Sequence, residues 1–196
     1  MASKRQNQKS KTRFKLLAAA NALLKEKGFS GTSVQKVMSK AKLSHGGFYA
    51  YFRDKDRMVV EAVRWGMEQA AQQAAAAIPK ELSREARLLH FFRFYLSPVH
   101  RQRVAEGCPV AALSRDFGNA RLELRKEFAR ELSKMIEQRR ALFSDSSHEI
   151  HRKEWIGMMC TYVGAMILSR STEGDSLSDE FLESAFQFLE LKIKAE

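Results

Sequence analysis

Residues that interrupt helices fall at only a few places in this chain. Its 196 residues include three prolines, Pro79, Pro98 and Pro109, and ten glycines. The stretches between them are rich in Ala, Leu, Glu, Lys, Arg and Met, which all favour helix. The sequence therefore predicts an all-α fold of about nine helices.

Apolar periodicity and capping residues indicate where the helices begin and end. From Thr12 onward, apolar side chains recur at three- and four-residue steps until Gly28, which is expected to end the first helix. Three more helices should follow, with N-caps at Thr32 or Ser33, at Ser44 (helix 44–52) and at Asp54. Further helices are expected near 83–96, 109–117, 119–142, 149–171 and 178–195.

The positive charge of the chain is confined to its N-terminal part. Residues 1–57 contain 14 Lys and Arg against 3 Asp and Glu, whereas residues 58–196 contain 20 of each sign. A basic module beside a neutral body is typical of nucleic-acid binding, although a basic tail that only aids solubility would also account for some of the charge. We expect a flexible basic tail at 1–12, a nucleic-acid-binding domain at 13–57 and a neutral helical body at 58–196.

Two short helices joined by a few residues predict a helix-turn-helix in this basic part. The second of them contains the sequence SHGGFY, from Ser44 to Tyr49. A helix that enters the major groove, roughly 12 Å wide, benefits from small residues where its backbone approaches the bases. Gly46 and Gly47 each cost a helix about 1 kcal/mol, so close approach to another surface explains them better than stability does.

The segment from Arg13 to Met58 resembles the TetR family of bacterial transcriptional regulators. The resemblance rests on Arg13, Leu16-Leu17, Ala19-Ala20, Leu23-Leu24, Gly28-Phe29, Thr32-Ser33-Val34 and the run LSHGGFYAYFRDKD. Two positions depart from the family pattern, since Lys42 stands where a turn glycine is usual and Tyr51 where a histidine is common. If Lys42 is left-handed it is strained; otherwise the turn is built differently and Lys42 adds a phosphate contact.

The resemblance implies a dimeric repressor that binds palindromic double-stranded DNA and is released by a small-molecule inducer. The DNA-binding residues that it implies are Thr32, Ser33, Gln35, Lys36, Lys42, Ser44, His45, Gly46, Gly47, Tyr49, Tyr51 and Lys55. Base contacts are expected at the start of the recognition helix, and phosphate contacts from Thr32, Ser33, Tyr49 and Lys55. An exposed His45 without a base contact and a Tyr49 packed in the core remain open alternatives.

In the family, the body encloses a small-molecule pocket that is usually apolar. The residues implied for it here are His90, Phe91, Phe94, Tyr95, Cys108, Phe117, Phe128, Trp155, Met159 and Tyr162. Each of them also suits an ordinary core. Cys108 precedes Pro109 at a helix start, where the dipole favours a thiolate that could react with an electrophile; a small buried residue is the alternative. The GCP motif and the SHGGFY helix also resemble one subgroup of the family.

The last two predicted helices carry more apolar residues than one buried face requires. In the family, the equivalent helices pair with their copies in a four-helix bundle. The dimer residues implied here are Trp155, Ile156, Val163, Ile167, Phe181, Phe186 and Leu189.

Other classes of function find less support in the sequence. A cysteine- or histidine-dependent enzyme would need a base–nucleophile pair or a phosphate loop, and neither stands out. A non-specific nucleic-acid-coating protein would not need the two glycines. His148 and His151 could hold a metal but also suit a solvated helix end, so we expect neither a metal nor a cofactor. No signal peptide or membrane span is apparent, which favours the cytoplasm.

Overall fold

The computed structural model describes residues 2–79, 81–144 and 149–195. Within these ranges it contains nine α-helices, one 3-10 helix and no strand, as the sequence predicts. Among the described residues, no helix is both long enough and apolar enough to cross a membrane.

The N-terminal helices begin at the residues expected to cap them. The elements are α1 (Ala2–Gly31), α2 (Val34–Lys40), a 3-10 helix (His45–Ala50) and α3 (Lys55–Ala77). The Ser33 hydroxyl accepts a hydrogen bond from the Lys36 N–H at 3.2 Å, and the Asp54 carboxylate accepts one from the Arg57 N–H at 2.8 Å. Each bond satisfies an amide that has no partner within its own helix.

Three details of this region differ from the prediction. α1 begins at Ala2 rather than near Thr12, so the segment expected to be an irregular tail is helical. The helix predicted at 44–52 is a 3-10 helix, and the side chain of Ser44 does not cap it. A short segment with two glycines gains little from α-helical propagation, which accounts for the tighter 3-10 geometry. Gly28 does interrupt α1, since its φ is 66° and its ψ is −173°.

The body consists of six further helices. They are α4 (Arg84–Tyr95), α5 (Pro98–Gln102), α6 (Pro109–Gly118), α7 (Leu122–Phe143), α8 (Arg152–Ser171) and α9 (Leu177–Lys194). The sequence does not predict α5, because Pro98 interrupts the helical pattern there. Proline suits the first turn of a helix, and Ser97 caps α5 by accepting from the His100 N–H at 3.1 Å.

The long helix α3 connects the two parts of the chain. It packs on α1 within the N-terminal part and on α7 within the body, while α6 also packs on α1. α8 and α9 pack against each other at the other side of the body. One continuous apolar core runs through both parts.

Candidate functional site

The helix-turn-helix places most of the predicted DNA-contacting side chains in solvent. Tyr49 is 75% exposed, which places its ring outside the core. The other exposed members of the predicted set are Ser33, Gln35, Lys36, Lys42 and Ser44. The buried residues beside Tyr49 are Phe48 and Phe52, whose rings pack together inside the domain.

Lys42 has a left-handed backbone, with a φ of 58°. It follows α2 in a tight turn, where the Lys42 N–H donates to the Ser39 carbonyl and the Leu43 N–H to the Met38 carbonyl, both at 2.9 Å. Of the two possibilities left open by the sequence, the strained turn is therefore the one observed. The turn keeps the lysine side chain exposed next to Ser44.

Three predicted DNA-contacting residues are engaged inside the protein. Thr32 is fully buried and its hydroxyl donates to the Gly28 carbonyl at 2.8 Å, which corrects its expected role as a phosphate ligand. The Lys55 ammonium donates to the Phe29 carbonyl at 2.8 Å and thereby ties α3 to the end of α1. Tyr51 is half-buried against the core.

The start of the 3-10 helix is described only in part. The structure describes the backbone of His45 and Gly46 but not the surroundings of their side chains. His148 lies outside the described residues. A methyl group added to Gly47 would meet only the Met38 Cε at 3.7 Å, an ordinary contact. Packing within the chain therefore does not require a glycine at position 47.

A cavity of about 360 Å³ lies in the body, between α3, α4 and the residues that precede α6. Its volume falls in the range of small-molecule pockets. Five of the residues predicted for the pocket line it: Phe91, Phe94, Tyr95, Cys108 and Tyr162. Cys108 is the N-cap of α6 and Pro109 its first residue, as expected from the sequence.

The other five residues predicted for the pocket lie elsewhere. His90 is on the exposed side of α4. Phe117 and Phe128 stack on each other with ring centroids 4.1 Å apart, and they join α6 to α7. Trp155 and Met159 are buried in the core outside the cavity, where Trp155 stacks on Phe143. Aromatic content alone could not distinguish the wall of a cavity from the close-packed core beside it.

Sequence reasoning missed the buried charge in the cavity wall, which is Arg139 on α7. Only 7% of Arg139 is exposed, and it lines the cavity together with Met135 from the preceding turn. The signal was available, since Met135, Ile136, Arg139 and Phe143 follow helical spacing along one face. The many other charged residues of α7 obscured it.

Two hydrogen bonds connect α1 to the cavity-lining residue Gly107 and to α6. The buried Lys25 ammonium donates to the Gly107 carbonyl at 2.9 Å, and burial lowers the pKa of Lys25 from 10.5 to about 8. The Asp116 carboxylate on α6 accepts from the Phe29 N–H at 2.8 Å. The loop and helix that border the cavity therefore hold the end of the helix that precedes the helix-turn-helix.

Of the residues predicted for dimerisation, Ile167 is the one that lies on the exposed apolar face of α8 and α9. Trp155, Val163 and Leu189 are buried within the single chain, which corrects their assignment. Ile156, Phe181 and Phe186 are half-buried, and the Arg93 guanidinium lies 4.3 Å from the centroid of Phe186. The apolar side chains left exposed on these helices are Ile167, Leu168, Leu177, Phe188 and Leu191.

Known proteins share this architecture. Residues 16–62 match the model of a family described as bacterial regulatory proteins, tetR family. A TetR transcriptional regulator from Chloroflexus aurantiacus J-10-FL has a TM-score of 0.75 at 20% identity over 96% of each chain. For E. coli NemR in its reduced form, the TM-score is 0.70 at 22% identity over 91% of this chain and 95% of that one.

A third solved structure is the regulator FadR from Bacillus subtilis in complex with stearoyl-CoA. Its TM-score is 0.65 at 16% identity, over 90% of this chain and 96% of that one. No curated protein matches the sequence. Residues 16–62 thus match the N-terminal part of the tetR family of regulatory proteins, and the chain as a whole shares its fold with TetR transcriptional regulators.

Proposed function

We propose that the chain is a homodimeric repressor that binds a palindromic DNA site and releases it when a small molecule occupies the cavity of the body. The observation that carries this proposal is the exposed polar and basic surface of a helix-turn-helix that matches the tetR family, where Tyr49, Lys36 and Lys42 are all exposed to solvent. The same part of the chain contains all of its excess positive charge. Positive charge draws the domain to phosphates, and base contacts select the sequence.

A dimer follows from the size of the recognition element and from the apolar face of α8 and α9. One 3-10 helix of six residues contacts few base pairs, so a second copy at the other half-site is needed for tight and specific binding. Phe188 is 61% and Leu191 70% exposed on α9. Two copies of this face, packed together, would remove these side chains from water.

The hydrogen bonds that join α1 to Gly107 and to Asp116 of α6 supply a route for release. A molecule that enters beside Gly107 and Cys108 would displace the start of α6, and Lys25 and Asp116 would pass that displacement to α1. Release requires that the molecule bind more tightly to the conformation with low DNA affinity. The FadR structure with stearoyl-CoA supports a small molecule as the effector.

We also propose that the chain belongs to the subgroup marked by the SHGGFY and GCP motifs.

Selection of binding sequences from random duplex DNA at about 0.15 M salt tests the DNA-binding part of the proposal. We expect the wild-type protein to recover a palindrome. His45→Ala should change the preference at the inner positions, since His45 begins the recognition helix. Tyr49→Phe should recover the same palindrome with weaker binding, because only a phosphate contact is lost. If no motif is recovered, the chain is a non-specific binder.

A further inference from the structure

The cavity wall contains a buried positive charge, the guanidinium of Arg139. The Nη2 of Arg139 donates to the Ala70 carbonyl at 2.8 Å, and its Cζ lies 5.4 Å from the centroid of Phe91. Its Nη1 is buried and has no hydrogen-bond partner among the described residues. In the described part of the chain, no carboxylate forms an ion pair with it. An unpaired buried charge is costly, so an anion that reached Nη1 would bind favourably.

A second donor lies in the same wall. Tyr95 is buried, its hydroxyl has no nitrogen or oxygen partner among the described residues, and the Cys108 thiol lies beside it. Burial raises the pKa of Tyr95 well above its usual value, so the phenol keeps its proton and can donate it. Tyr95, Tyr162 and Cys108 are close enough to Arg139 to influence its electrostatic environment.

His100 does not supply a second positive charge. Its Nδ1 lies 2.7 Å from the Tyr95 carbonyl oxygen, which can only accept, so Nδ1 carries the proton. Burial lowers the pKa of His100, which favours the neutral ring near pH 7. Two charged residues at the cavity, Arg103 and Glu106, are exposed and of opposite sign. Among the described residues that line the cavity, Arg139 is therefore the one that is both buried and charged. Two further cations, Lys25 and Arg170, donate to the backbone carbonyls of the lining residues Gly107 and His100.

Most of the rest of the wall is apolar, and its polar members Gln73, Arg103 and Glu106 are exposed. Phe91, Met135, Tyr162 and Val163 present rings and aliphatic groups to the cavity, and Ala70 and Ala74 of α3 leave space opposite them. A ligand with a large polar body would lose its hydration there without replacement hydrogen bonds. The shape and polarity of the cavity together indicate a ligand that has an apolar body and one polar end.

We propose that the cavity binds an apolar monocarboxylate, whose carboxylate accepts hydrogen bonds from Arg139 Nη1 and the Tyr95 hydroxyl. The single guanidinium in the lining matches one carboxylate better than it matches a dianionic phosphate. The inference deepens the proposed function by naming the class of effector, and it rests on that function for its regulatory meaning.

Binding to the full-length protein without DNA tests the inference, by calorimetry with octanoate, phenylbutyrate and naphthylacetate, each beside its primary amide. We expect at least one of the acids to bind, and to bind the wild type about tenfold or more tightly than its amide. Arg139→Met should abolish that preference. Arg125→Met, which removes an exposed arginine from the same helix, should retain it. Cys108→Ser should also retain binding, since no covalent bond is involved.

The inference is overturned if none of the acids binds, if the amides bind the wild type as tightly as the acids, or if Arg139→Met keeps the preference for the acids. The comparison of acid and amide in the wild type needs no folded variant. DNA binding is measured separately by the sequence selection. An intact palindrome preference without acid binding would therefore refute only the effector class, whereas acid binding without a DNA motif would refute only the regulator.

Discussion

Lys42 adopts a left-handed backbone conformation that costs a residue with a β-carbon about 1–2 kcal/mol. Lys42→Gly and Lys42→Ala remove the same charge. The difference in stability between the two variants therefore reports the cost of the left-handed backbone. We expect the glycine variant to have the larger free energy of unfolding, by about 1 kcal/mol, as measured by urea denaturation. An alanine variant as stable as the glycine variant would show that the turn is not strained.

Lys25 links stability to pH, because its pKa is about 8 in the folded chain and its ordinary value is 10.5. Between these two pH values the unfolded chain binds more protons, so the contribution of Lys25 to stability rises with pH. Below about pH 8 the lysine is charged in both states and this contribution is at its lowest.

Stability should therefore be compared between the wild type and Lys25→Met across this window. We expect the free energy of unfolding of the wild type, minus that of the variant, to increase from pH 8 to 10.5. The exposed neighbour Lys27 serves as the control, and Lys27→Met should give a constant difference. If the difference for Lys25→Met were also constant with pH, Lys25 would not be a buried, desolvated lysine in the folded chain.

At the scale of elements, the exposed face of α8 and α9 makes a prediction about assembly. Phe188→Glu places a charge on the face that we propose to be covered in the dimer. We expect this variant to remain helical and to have the mass of a monomer by sedimentation equilibrium. Leu122→Glu replaces a comparably exposed apolar residue of α7, outside that face, and should remain dimeric. A dimeric Phe188→Glu protein would place the interface elsewhere.

The sequence predicted where helices begin and end better than it predicted which faces are exposed. Ser33, Asp54 and Gly28 act through the local backbone, and the structure confirms their roles. α8 is apolar on more than one side, so its periodicity could not separate Val163, which is buried, from Ile167, which is exposed.

The same limit applied to the candidate site. The chain segment of the helix-turn-helix was recognisable, because its motif lies within one continuous stretch. The cavity draws on α3, α4, α7 and α8 together, and only the packing of distant helices shows that Phe91 lines it while Phe117 does not.

At the scale of the whole molecule, DNA affinity should depend steeply on salt. Each lysine that neutralises a phosphate adds about 0.9 to the slope of log K against log salt. Lys36 is exposed at the start of α2, and its ammonium is held by the Gly31 carbonyl at 2.8 Å. In a dimer, Lys36→Ala should reduce the slope by roughly 2, whereas Lys153→Ala on α8 should leave it unchanged. An unaltered slope for Lys36→Ala would remove that residue from the DNA interface.

The central claim is that two copies of the chain bind one palindrome, and the mass of the protein–DNA complex tests it directly. Sedimentation equilibrium with the selected duplex, and with the same duplex lengthened by unrelated flanking sequence, counts the bound chains. We predict two chains on both duplexes. A single bound chain, or a number that rises with the length of the flanks, would contradict the account.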